Sequence, residues 1–216
     1  SVFPNSKSLS FDGTDEYVSV PFELPTGTWT VSQWIRINDT SASDDLYVWD
    51  SRDASHTSGN IMHPVKASSS TYKNRWWNAG AFRISPTTEY AIGLWQHVVF
   101  VKDGETGTMY VDGASVGTAT GFSTTADNAP NMSIGARYSN LNNIPMQFDE
   151  LAIWNTALDA DAVSALYNSG LPTDVSVDSG DYDVSAGLQG WWRMGDATEP
   201  AADGITGGNK LFIFDQ

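Results

Sequence analysis

Aromatic side chains set beside amides and guanidinium groups are the chemistry this sequence offers most plainly. Trp49, Tyr72, Trp76, Trp77 and Tyr138 fall near Asp50, Arg52, Asn78 and Arg137. Sugar rings lay their C–H faces on exposed aromatic rings and bond to polar neighbours of this kind. These residues are therefore candidate glycan contacts. The alternative is that the tryptophans are packing. The Trp76-Trp77 pair narrows the choice, because adjacent strand residues point to opposite faces. One ring of the pair is core, and the other lies outside or beneath the C-terminal segment. The same logic applies to Trp191-Trp192. It puts one ring on the body of the protein and leaves Trp192 as a candidate contact with a neighbouring subunit, together with Phe212 and Phe214.

Other chemistries are poorly supplied. His56, His63 and His97 have no spacing that places two of them on one helical turn or on adjacent same-face strand positions. A catalytic zinc is not expected, and His97 reads as a packed core histidine. The sequence holds no cysteine, so disulfides and thiolate metal sites are excluded. No glycine-rich phosphate loop follows a strand and opens a helix.

The chain has 216 residues, of which 40 % are apolar and nine are Trp, enough for one large core. It carries 26 acidic and 11 basic side chains, a net charge of −15. Nucleic acid is not an expected partner, because its affinity rests on phosphate neutralisation. Anionic membranes are disfavoured for the same reason, and no apolar run approaches the roughly 18 residues of a membrane span. Acidity fits either Ca²⁺, which takes oxygen ligands, or plain solubility. The start at Ser1, without methionine, reads as trimming or as a domain cut from something longer.

Strand patterns dominate. In residues 29–37, Trp29, Val31, Ile35 and Ile37 share one face, while Gln33 and Trp34 break the sorting. The outer face there is partly covered. Residues 95–102 form an apolar run suited to a central strand covered on both sides. Asp112-Gly113 between two strand-like runs predicts a tight hairpin. Residues 132–138 and 147–154 are further strands. Asp159 caps one helix, which Gly170 ends and Pro172 follows. That helix is expected to close one end of the fold. Residues 38–75 have no clean period; short strands near 46–50 and 60–66 are joined by long loops. Residues 190–194 and 210–214 read as late strands.

In order and spacing, several segments resemble the laminin-G-like, concanavalin-A-like lectin/glucanase jelly rolls. They are Ser8 to Val18, Trp29 to Ile35, Trp95 to Val99, Met109 to Gly113, Met132 to Ala136 and Phe148 to Leu151. The resemblance implies an all-β fold, an antiparallel two-sheet β-sandwich over residues 1–170 with one short helix. Residues 171–216 become a C-terminal extension packed on the sandwich or on a neighbouring subunit. Gly190-Trp191-Trp192-Arg193-Met194-Gly195-Asp196 is similar to a segment of marine bacteriophage structural proteins, and the sequence departs from that group after Asp196.

In such jelly rolls the first and penultimate strands lie side by side, with a structural Ca²⁺ at that edge. The resemblance therefore implies Asp12 and Asp149 as two ligands; the alternative is that Asp12 caps its Asp-Gly turn and Asp149 binds backbone N–H groups. Related glucanases use a Glu-x-Asp-x-x-Glu strand, which is absent here, and Asp149 and Glu150 are adjacent and point oppositely. An enzyme is not expected. What is expected is a non-catalytic adhesion module on a virion surface or in the extracellular space. It recognises cell-surface or matrix glycans through residues 44–78 and 137–146, including Arg137 and Asn78. A purely structural virion accessory, docked on other virion subunits or on copies of itself, is the alternative.

Overall fold

The computed structural model describes residues 5–40, 46–52, 55, 57–125, 128–137, 141–194 and 212–214. Two antiparallel sheets pack face to face into a sandwich. One has seven strands. Its path runs β1 (Leu9–Asp12), β13 (Pro145–Trp154), β3 (Trp29–Ile37), β9 (Gln96–Asp103), β10 (Thr106–Val111) and β11 (Ala114–Thr120). β14 (Leu188–Trp192) also pairs with β13. The other has eight strands. Its path runs β15 (Phe212–Phe214), β2 (Tyr17–Val20), β12 (Asn128–Ile134), β4 (Trp49–Arg52), β5 (Asn60–Lys66), β6 (Thr71–Asn78) and β7 (Ala81–Ile84), with β8 (Tyr90–Ala91) on β6.

Local chemistry accounts for much of this. Asp112 and Gly113 both have positive φ, at 51° and 77°, as the tight turn joining β10 to β11 requires. α1 (Ala160–Tyr167) starts where the Asp159 carboxylate accepts the Ala162 N–H at 2.8 Å. Asn168 ends it in the left-handed conformation.

The main core lies between the sheets. Trp29, Trp49, Trp76 and Phe100 meet at its centre, and Phe122 packs on Trp76 with ring centroids 4.4 Å apart. A second core lies on the outer face of the seven-stranded sheet. There Val99, Val101, Tyr110, Ala152 and Trp154 are covered by Val163 and Leu166 of α1 and by Val175 and Tyr182 beyond it. This explains why β9 is apolar on both faces. It also corrects the expected position of the helix. α1 lies on a sheet face and not at an end of the sandwich, because Val99, Val101 and Trp154 offer it an apolar surface there.

The irregular sorting of β3 resolves in the same way. Gln33 points inward, its amide within 3.4 Å of the Met62 sulfur. Trp34 points outward, beneath Tyr167 of α1, with the two rings stacked 6.1 Å apart. Residues 71–78, expected in large part as loop, form β6. They pair with β5 over its whole length, from Asn60↔Asn78 to Lys66↔Tyr72.

β14 runs along the free edge of β13 beyond β1, pairing Leu151 with Trp192 and Ala152 with Trp191. Both tryptophans are thereby packed within the chain. Trp191 joins the outer core. Trp192 is 4 % exposed between the sheets, edge-on to Phe22. Its expected role at a subunit contact is thus corrected: the ring is core. The backbone of Phe212 and Phe214 pairs with Ser19 and Tyr17 of the same chain, so that edge of the strand serves the subunit itself.

Candidate functional site

α1 and its following segment cover only part of the outer face of the seven-stranded sheet. Beyond the end of the helix a groove of about 360 Å³ opens, within the range of small-molecule sites. Its floor is made of cross-strand pairs, Trp34 opposite Asp149 and Arg36 opposite Gln147, on β3 and β13. Residues 5–8 form one wall. Gly170 and Pro172, where the chain leaves the helix, form another, and Trp95 stands at the rim just before β9.

The two tryptophans differ in kind. Trp34 is 7 % exposed, lying 5.0 Å from the His97 ring and stacked on Tyr167. Trp95 is 39 % exposed and, among the described residues, no ring or cation stacks on it. Polar groups surround it. Arg36 Nη1 donates to Gln147 Oε1 at 3.2 Å, and Lys7 is exposed on the wall. An open aromatic face beside amide, guanidinium and ammonium groups is the arrangement that holds a sugar ring.

Two buried ionisable groups flank this floor. His97 is fully buried, its Nε2 within 2.7 Å of Ser32 Oγ. Burial lowers its pKa to about 3, so the ring is neutral. Glu150 lies at a bulge in β13, with a φ of +50°. The bulge, set between core-facing Phe148 and Leu151, turns Asp149 to the groove and Glu150 toward β14 on the same outer side. There Glu150 accepts the Trp191 indole N–H at 2.6 Å, an Asn5 amide N–H at 3.2 Å, and pairs with Arg193 at 3.4 Å. Burial pushes the Glu150 pKa up to about 7; Trp191 and Arg193 act against this, while Asp149 reinforces it.

The sequence-expected contacts scatter. Trp49, Tyr72 and Trp76 have no exposed face, since each is wholly buried between the sheets. The Tyr72 hydroxyl donates to Gln96, and Trp76 Nε1 donates to Asn60 Oδ1 at 3.0 Å. Asn78 is also buried; it donates to the same Asn60 oxygen and accepts the Ser123 N–H. As glycan contacts these four are corrected: their rings and amides hold the core together. Trp77 does face outward, on the opposite side of the molecule from the groove. The Arg52 guanidinium lies over its ring at 5.5 Å and is itself held by Asp50 in a buried ion pair of 2.6 Å. Arg137 is half-buried and pairs through its backbone with Leu141. Tyr138 and His56 lie outside the described residues.

Asp12 and Asp149 do not form one ion site. Asp12 lies opposite Pro145, four residues before Asp149 on β13. At about 3.4 Å per residue that separates them by about 14 Å, far beyond two Ca–O bonds of about 2.4 Å. Asp12 Oδ1 instead accepts the Thr14 N–H at 2.7 Å, and Asp149 Oδ1 accepts the Glu150 N–H at 2.8 Å. Among the described residues no cluster of three His, Asp or Glu could hold a metal.

The expected sites missed the groove. Of the expected residues only Asp149 lines it. Lys7, Trp34, Arg36, Trp95 and Gln147 were legible only in part, through the outward Trp34 that breaks the alternation of β3.

Sandwich and groove together define a lectin-type β-sandwich. The match to the concanavalin A-like lectin/glucanases superfamily (Laminin_G_3) spans residues 12–164, and the chain belongs to that family. Among solved structures, the fold is similar to a native heptameric SAP-like pentraxin from Limulus polyphemus. That match has 21 % identity and a TM-score of 0.57, over 77 % of this chain and 80 % of that one. It is also similar to a putative carbohydrate binding protein from Bacteroides ovatus. Here identity is 15 % and the TM-score 0.62, over 96 % of this chain and 60 % of that one. A third is the binding domain of Paraclostridial Mosquitocidal Protein 1, at 16 % and 0.55, over 76 % and 46 %. A comparison with curated protein sequences finds no match.

Proposed function

We propose that this protein is a non-catalytic carbohydrate-binding module whose ligand lies across Trp95 in the outer-face groove. The observation that carries this is the open Trp95 face beside Arg36, Gln147 and Lys7. The similarity to a putative carbohydrate binding protein supports it. Glycoside hydrolysis needs two carboxylates flanking the scissile bond. Asp149 is the single carboxylate among the described lining residues, and one of its oxygens is held by the Glu150 N–H. The module holds sugar without cutting it.

An open groove of this size gives modest affinity per site, which display in many copies multiplies. We place it on an outer surface such as a virion or an exported assembly. No ion is assigned to the groove.

A glycan array with the folded protein, run with Ca²⁺ and again with EDTA, tests this reading. The expected result is a specific signal that EDTA leaves unchanged. A blank array would turn the assignment toward a purely structural role. A signal lost in EDTA would move the binding site to an ion the groove does not hold.

A further inference from the structure

Arg52 is held by Asp50, and Arg193 by Glu150. Arg36 has no carboxylate partner among the described residues, although acidic side chains outnumber basic ones 26 to 11. Of its five N–H donors, one on Nη1 goes to Gln147, and Nε lies below the surface with no acceptor. Lys7 adds a second positive charge on the groove wall. The one carboxylate of the lining, Asp149, is already turned toward a backbone N–H. The described lining thus carries two cations, Arg36 and Lys7, against one carboxylate, in a molecule of net charge −15.

Such a recess attracts anions that the rest of the surface repels. A planar guanidinium with unpaired donors matches a carboxylate or sulfate in a forked geometry that hydroxyl groups cannot reproduce. Resting on the carbohydrate reading of this groove, we infer that its ligand is an acidic saccharide: one ring stacks on Trp95 while its anionic group meets Arg36 and Lys7.

The test is calorimetric titration of the full chain with three oligosaccharides of equal length: a uronate, a sulfated galactan and a neutral galactan. At about 50 mM salt at least one acidic ligand binds ten-fold or more tighter than the neutral one, and at about 500 mM that preference collapses through screening. The better acidic ligand distinguishes carboxylate from sulfate. Arg36→Gln removes the preference for the acidic ligand, and Lys7→Gln, an exposed change that does not disturb the sheet, weakens it in the same direction. Neutral binding equal to or tighter than both acidic ligands, still abolished by Trp95→Ala, would overturn the inference and leave the carbohydrate reading standing. Failure of all three to bind would overturn both.

Discussion

Trp76→Ala lowers the free energy of unfolding by about 3–5 kcal/mol, as large aromatic truncations in cores do. The Trp76 ring lies among Trp29, Phe100 and Phe122 at centroid distances of 5.4, 5.0 and 4.4 Å, so its loss opens a cavity with aromatic walls. It also removes the indole N–H donated to the amide oxygen of buried Asn60. Urea titration reads the effect as a shift of the midpoint with little change in slope. A variant of unchanged stability that had lost sugar binding would show that the ring is a ligand contact and that its place in the core is wrong.

The second large effect is a pair of opposed pH slopes. Glu150 holds its proton to about pH 7 when folded, against 4.5 for the free side chain, so the folded state binds more protons between those values. Its contribution is full below pH 4.5 and is lost as pH rises through 7, a change of about 3 kcal/mol. His97 has the opposite sign. Its folded pKa near 3 lies below the free value of 6.5, so stability is lost as pH falls below 6.5. Between about pH 5 and 6.5 the two slopes cancel.

Glu150→Gln keeps an acceptor for Trp191 and leaves the His97 slope alone. Stability then rises by about 1.4 kcal/mol per pH unit across that window. His97→Gln leaves the Glu150 slope, and stability falls by about the same amount per unit. Urea midpoints at three pH values decide the matter. Two variants with the same slope as the wild type would show that neither group titrates abnormally.

The elements legible in the sequence were those whose signals are local. The Asp112-Gly113 turn, the Asp159 cap and the doubly covered β9 follow from a few adjacent residues. β6 was hidden because Asn74 occupies an inward position among Lys73 and Arg75, so its alternation does not read as apolar against polar. The site was hidden for a different reason. Composition marks tryptophan as a sugar platform, but only tertiary packing decides which tryptophan keeps an open face. Trp49 and Trp76 point between the sheets; Trp77 lies under Arg52; Trp95 stands clear because α1 stops at Tyr167 and leaves the neighbouring face of β3 and β13 uncovered. The bulge that sends Asp149 and Glu150 to different surroundings is also invisible in the sequence, since Glu150 is not a residue that commonly adopts positive φ.

The most direct test of the account is titration of the strongest array ligand into wild type, Trp95→Ala and Trp77→Ala. The two tryptophans lie on opposite outer faces, and neither belongs to the core between the sheets. Loss of one such ring face costs about 1.5–3 kcal/mol, a weakening of roughly ten- to 150-fold. The account predicts that weakening for Trp95→Ala and unchanged affinity for Trp77→Ala. Retained binding in Trp95→Ala with loss in Trp77→Ala would place the sugar on the eight-stranded sheet and contradict the groove.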